Sequence, residues 1–155
     1  MFNLPKDVEV IAFSNEEAEM FTKNATAMGS TVTNTSVWTG PVPPNSFVWL
    51  GNGVRMATPE YMFLRKANQL PHDDAVVVGC ALLSVFDTCY TSPSMGLNEV
   101  YWRKEPHTTA KRIKEYLMPI LHTDEAIKAI RILHESIKLM PAFDAPCKAL
   151  ADNNE

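Results

Sequence analysis

The sequence predicts an α+β fold: a small mixed sheet packed by about five helices in a single domain. Three observations lead there. Segments rich in β-branched and aromatic residues, at 8–13, 31–38, 46–50 and 54–56, all precede residue 58. Apolar stripes at helical spacing dominate after it. Between the two patterns stands Thr58-Pro59-Glu60, where an N-cap residue, a proline suited to the first helical position and an acid favoured by the helix dipole follow one another.

Taken in order, residues 8–13 (VEVIAF) read as a buried strand. Ser14 and Glu17 then stand at capping-box spacing, which predicts a helix from Asn15 to about Met28, ended by Gly29. Residues 31–38 read as a strand with alternating faces. Pro41, Pro43 and Pro44 remove backbone donors and make 40–45 a loop. The runs 46–50 and 54–56 flank Gly51-Asn52-Gly53, a turn that accepts positive φ, so a hairpin is expected. Phe63, Leu64, Ala67 and Leu70 form the stripe of the helix that begins at Pro59, and Pro71 breaks it.

Residues 72–86 are apolar nearly all round, which predicts a central helix covered by other elements, with Gly79 marking its closest approach to a neighbour. The stretch 88–106 is turn-rich, with one short strand around 100–103. Thr108 or Thr109 caps a helix whose Ile113, Tyr116, Leu117 and Ile120 face inward, and Pro119 kinks or ends it. Thr123-Asp124-Glu125 opens the last helix, with Ala126, Ala129, Ile130, Leu133, Ile137 and Met140 as its buried seam. The domain is expected to span 1–140, and 141–155 to form an irregular tail that begins at Pro141.

With 155 residues, 46% of them hydrophobic and 21% charged, the chain is long enough for a sizeable core. A net charge of −4 argues against strong, diffuse attraction to nucleic acid or to an anionic membrane. The charge is uneven: residues 101–138 carry eight Lys/Arg against five Asp/Glu. Cys80, Cys89 and Cys147 are an odd set without C-x-x-C spacing, as expected of reduced thiols in a cytoplasmic protein. The run 8–13 is too short for a signal peptide, and the longest apolar run, 75–86, is too short to span a bilayer.

The residue types of catalysis are present, but their spacing is not. His72-Asp73-Asp74, His122-Thr123-Asp124 and His134-Glu135 lack H-x-x-x-H or H-E-x-x-H spacing, and both Asp sites fall where helices start, so capping explains them and no metal is expected. Ser84, Cys89 and Ser94 have no nucleophile-elbow context. Gly51-Asn52-Gly53 lacks the later glycines and the Lys-Ser/Thr of a phosphate loop. None of the nine lysines has an acid two residues before it, as a D/E-x-K nuclease site requires. The expectation is a protein that is not an enzyme and carries no cofactor.

Two binding surfaces remain. Arg103, Lys104, Lys111, Arg112 and Lys114 lie among Tyr101, Trp102 and Tyr116, the mixture that contacts phosphates and stacks on bases, although the polar side of an amphipathic helix by itself explains Lys111, Arg112 and Lys114. Arg55, Arg65 and Lys66 form a smaller basic group. Trp38, Pro43, Pro44 and Trp49 have the composition of a protein interface, and equally that of a core.

One run of features resembles a known family. Trp38, Gly40, Pro41, Pro43, Pro44, Ser46 and Phe47 precede Gly53-Val54-Arg55-Met56-Ala57-Thr58-Pro59-Glu60, then Phe63-Leu64, Ala67 and Val78-Gly79-Cys80-Ala81-Leu82-Leu83. Over residues 6–140 this order resembles the N-terminal region of bacterial AbiEi-type antitoxin regulators. In such proteins a Ser-Pro-Glu helix start precedes a domain like the very-short-patch-repair endonucleases. Thr58 stands where Ser is usual, and the acidic nuclease residues have no counterpart in these 155 residues. The resemblance implies a non-enzymatic protein that binds a partner protein of a defence or toxin–antitoxin system, with inhibition of that partner as one mode. The alternative is a nucleic-acid-binding module, a remnant of a nuclease-associated protein.

Overall fold

The computed structural model describes residues 9–27, 35–92 and 97–153, with the side chains of 25, 87–92 and 97–102 left aside. It forms two compact units, Met1–Gly40 and Pro41–Glu155. The α+β class and the five α-helices expected from the sequence are both present. Among the described residues the strands lie in three separate two-stranded ladders, one parallel and two antiparallel.

The first unit is a β-α-β arrangement. Strand β1 (Val10–Ala12) pairs in parallel with β2 (Thr35–Val37), and helix α1 (Asn15–Ala27) connects them, as a parallel pair requires. The Ser14–Glu17 spacing works as read: Ser14 Oγ accepts the Glu17 N–H at 3.1 Å, and the Glu17 carboxylate reaches back to the Phe13 N–H at 2.8 Å. Trp38 carries the ladder one step further by donating its N–H to the Ala12 carbonyl. Its ring is only 5% exposed and lies so close to Gly40 that a Cβ there would meet it at 2.4 Å.

The second unit begins with a hairpin, β3 (Phe47–Gly51) and β4 (Val54–Ala57), turned by Gly51, Asn52 and Gly53 at φ of 91°, 51° and 76°. Thr58 then accepts the Tyr61 N–H at 3.3 Å and starts α2 (Pro59–Gln69), which Pro71 stops. Helix α3 (His72–Leu83) follows, and its Gly79 is the close approach that the sequence predicts: a Cβ there would sit 2.1 Å from Ser136 Oγ. Strands β5 (Phe86–Ser92) and β6 (Leu97–Trp102) form a second hairpin where the sequence led us to expect turns and one short strand. Helix α4 (Ala110–Leu117) is capped by Thr109 and gives way at Pro119 to a 3-10 turn, Met118–Ile120.

Helix α5 (Asp124–Asn153) departs most from expectation. It runs through Pro141 and Pro146, so residues 141–153 are helical and not an irregular tail. Each proline removes one N–H from the ladder. Contacts around and beyond them compensate: Asp144, between the two prolines, accepts a hydrogen bond from Ser84 at 2.8 Å, and Ala151 packs against Phe86 with Cys147 and Val85 beside it. The core of the unit lies where α2, α3, α4 and α5 converge, around Phe63, Leu64, Cys80, Ile113, Leu117 and Leu133. The seam of α5 is rotated slightly from the expected one, with Ile132 and Ser136 buried and Ile137 exposed, because Ser136 is the residue that fits beneath Gly79.

Candidate interaction surface

The β3–β4 hairpin is the most apolar exposed feature among the described residues. Trp49 is 68% exposed, Leu50 60%, Met56 53%, Val54 51% and Val48 47%. The register pairs Val48 with Met56 and Trp49 with Arg55. Pleating therefore puts Val48, Val54 and Met56 on one face, and Phe47, Trp49 and Arg55 on the other. A shift between Trp49 and Gly51 makes Leu50 the bulged residue at the tip.

The two faces differ in how they are held. On the aromatic face, the Arg55 guanidinium lies over both the Phe47 and Trp49 rings, at 5.1 and 5.2 Å. Phe47 in turn meets Tyr61 of α2 edge-on, with centroids 5.0 Å apart. The base is fastened by Ser46, whose Oγ lies 2.5 Å from the Pro43 carbonyl and 2.6 Å from the Tyr116 hydroxyl. A carbonyl only accepts, so Ser46 donates to Pro43 and Tyr116 donates to Ser46. The aliphatic face, in contrast, remains open to solvent. The hairpin is thus rooted on α2 and α4, and its outer half is exposed.

Of these exposed residues Trp49 alone is singled out by sequence; Val48, Leu50, Val54 and Met56 are not among the candidates there. The signal was available: F-V-W-L-G-N-G-V-R-M has apolar residues on both faces of a predicted hairpin, where a solvated ribbon alternates. The other interface candidates are corrected in part. Trp38 and Pro43 are buried, Trp38 against Gly40 and Pro43 under the Ser46 bond, and Pro44 is exposed. Burial of a large ring and of a proline carbonyl that must find a donor explains both.

The basic candidates separate as well. Helix α4 holds Lys111, Arg112 and Lys114 on its solvent side, opposite buried Ile113 and Leu117, and Lys111 reaches Glu115 at 3.9 Å. Lys104 is exposed, whereas Arg103 is half-buried, donates its N–H to the Val85 carbonyl and meets His107 with its side chain. The side chains of Trp102 and Tyr101 lie outside the described residues. Of the smaller group, Arg65 is buried over the Tyr61 ring at 5.7 Å, so it is a core cation and not a surface one.

Groups with chemical potential are engaged structurally. Ser84 is 1% exposed; its hydroxyl donates to Asp144 and accepts the Phe86 N–H. Burial, reinforced by Asp144, pushes the Cys80 and Cys147 thiols up, away from the thiolate form a nucleophile needs. Cys89 and Ser94 lie outside the described side chains. Asp73 and Asp74 occupy the first turn of α3, and His72 joins Glu135 of α5 at 2.6 Å. An open groove of about 440 Å³ lies beside them, lined by Asp73, Val76, Val77, Glu135, Lys138 and Leu139. No helix among the described residues is long and apolar enough to cross a membrane.

Burial pushes Tyr61 up to about 12, with Arg65 pulling against it, and pushes Tyr116 up as well, partly offset by its bond to Ser46. Comparison with protein-family models, with curated proteins and with solved structures finds no match to this chain.

Proposed function

We propose that this chain is a non-enzymatic interaction protein of the AbiEi antitoxin-like kind, which binds a partner protein of a bacterial defence or toxin–antitoxin system in the cytoplasm. The observation that carries this reading is the exposed apolar hairpin. Its aliphatic face, Val48, Val54 and Met56 with Leu50 at the tip, presents on the order of 350 Å² of apolar surface, within the range of the largest patch on an ordinary monomer. Burying that area is worth roughly 9 kcal/mol gross, comparable to the association cost of about 4–15 kcal/mol, so the hairpin supports binding when the partner adds polar contacts.

The test is capture of partners from the source bacterium by the full chain and by two surface variants, Trp49→Ala and Leu50→Lys. Both positions are exposed, so the fold survives, and each variant should retain less than about a tenth of the captured partner, as central aromatic and apolar anchors do. Undiminished capture by Leu50→Lys overturns the reading.

A second reading rests on the exposed Lys104, Lys111, Arg112 and Lys114, which suit nucleic-acid backbone contact. It predicts DNA or RNA binding that weakens with salt at a log–log slope of about −3 and disappears when Lys111, Arg112 and Lys114 are changed to Glu. No binding at low salt excludes it.

A further inference from the structure

The turn that closes the β3–β4 hairpin places a reactive pair at its tip. Asn52-Gly53 is the single Asn-Gly pair among the 155 residues. Turn geometry accounts for its presence, since both central residues need positive φ, and they have 51° and 76°. The chemistry of the pair is a separate matter. Asparagine is thermally labile because the main-chain nitrogen of the next residue can attack its side-chain carbonyl carbon. A following side chain, a hydrogen bond on either group or close packing hinders that attack, and none of the three is found among the described residues. Gly53 has no side chain, and a Cβ built at Gly51 or Gly53 would meet no atom within 4 Å. Asn52 is exposed, and neither its amide nor the Gly53 N–H has a hydrogen-bond partner among the described residues. Other asparagines are held. Asn68 donates its amide to the Leu64 and Glu125 carbonyls at 2.8 and 3.1 Å, and Asn45 is followed by buried Ser46.

We infer that Asn52 is a site of spontaneous deamidation, which converts the tip of the hairpin from neutral to anionic as the protein ages. Solvent base removes the Gly53 N–H proton, and the nitrogen attacks Asn52 Cγ. The bond from Cγ to Nδ2 breaks, Nδ2 takes a proton from water, and ammonia departs to leave a cyclic imide. Water then opens the imide. Cleavage of the new bond between Cγ and the Gly53 nitrogen leaves aspartate, and cleavage of the original main-chain bond leaves isoaspartate. The sum is one water consumed and one ammonia released, with no change of oxidation state. The imide fixes the main chain of residue 52, so the turn has to open first. That opening is local, because bulged Leu50 separates the terminal pair Gly51↔Val54 from the regular ladder. Both products place a carboxylate within two residues of exposed Leu50 and Val54. Isoaspartate also adds a carbon to the main chain of a two-residue loop, where loop length selects the turn type. The effect on partner binding rests on the hairpin being the interaction surface, as proposed above: a carboxylate desolvated against an apolar partner is costly. A fresh chain and an aged one then present different surfaces on the same fold.

The experiment is incubation of the full chain at about 37 °C, at about pH 7 and about pH 9, followed by peptide mapping that separates aspartate from isoaspartate. Conversion at Asn52 is expected to run roughly tenfold or more faster than at Asn45 or Asn68. It should also run faster at the higher pH, because the Gly53 nitrogen has to lose its proton. Asn52→Gly keeps a Gly-Gly type I′ turn and should abolish the reaction. Retention on a phenyl matrix reads the tip without any partner. The aged chain should elute earlier than the fresh one, as Asn52→Asp does, whereas aged Asn52→Gly should not move. An Asn52 that stays intact at the higher pH while the urea-unfolded chain converts overturns the inference, as does conversion at Asn45 or Asn68 at the same rate. Conversion with unchanged retention overturns the effect on the surface. Undiminished partner capture by Leu50→Lys overturns the partner-binding reading alone and leaves the chemistry at Asn52 standing.

Discussion

Replacing Gly79 by Ala should lower the stability of this protein by about 2 kcal/mol, against the usual sign for a helical glycine. Alanine in a helix interior gains about 1 kcal/mol over glycine by propensity. Here the added methyl would stand 2.1 Å from Ser136 Oγ, 2.9 Å from Ser136 Cβ and 3.1 Å from the Phe63 ring. Overpacking typically costs about 1–3 kcal/mol, and a contact this short with the neighbouring helix falls at or beyond the upper end. The Ser136 hydroxyl cannot turn away freely, because it donates to the Val76 carbonyl at 2.9 Å, and the carbonyl of the same residue faces Cys80 Sγ. Thermal unfolding reads the result as a fall of roughly 4–8 °C. Adding Ser136→Gly removes the obstructing atoms, so the double variant should be more stable than the sum of the single changes predicts. Equal or higher stability of Gly79→Ala alone would show that α3 and α5 are not in contact there.

The second large effect is expected at alkaline pH. Tyr61 titrates at about 12 in the folded chain, against about 10 in an unfolded one, because its hydroxyl is buried without a hydrogen-bond partner. A phenol raised on folding binds its proton more tightly in the native state. Its contribution is complete below pH 10 and is lost as pH rises from 10 to 12, at about 1.4 kcal/mol per pH unit. Tyr116 is shifted in the same direction, and its ionisation also removes the proton donated to Ser46. Denaturant unfolding measured from pH 8 to 12 should therefore show a plateau and then a steep decline. Tyr61→Phe flattens that decline while leaving the pH 8 fold intact, since the phenol oxygen has no partner to lose. A Tyr61→Phe protein that declines as steeply as the original removes Tyr61 from the account.

Local chemistry made much of the fold legible. Ser14 and Glu17, Thr58 and Pro59, the Gly51-Asn52-Gly53 turn and Pro119 act within a few residues of themselves, and each does in the structure what its spacing implies. The errors share a different origin. Pro141 breaks a helix only if nothing beyond it holds the chain, and Ser84 and Phe86, some sixty residues away, hold it. The β5–β6 hairpin was hidden by reading Pro93 and Gly96 as marks of a long irregular stretch, although F-D-T-C-Y-T-S carries β-forming residues. Of the candidate surface, composition pointed to Trp49. It also pointed to Trp38 and Pro43, because a tryptophan and a proline look alike in sequence whether they cover a core or cover a partner.

The contact between Gly79 and Ser136 has a consequence for how the chain is made. Val76 and Ser136 are sixty residues apart, and the groove in α3 that receives the serine is uncovered until α5 exists. At a synthesis rate of roughly 5–20 residues per second, that apolar helix emerges from the ribosome some 3–12 seconds before its cover. During this interval the nascent protein offers an apolar helix to whatever is nearby. A slow stretch of codons between α3 and α5 would prolong the exposure, and early engagement by a holding chaperone would shield it.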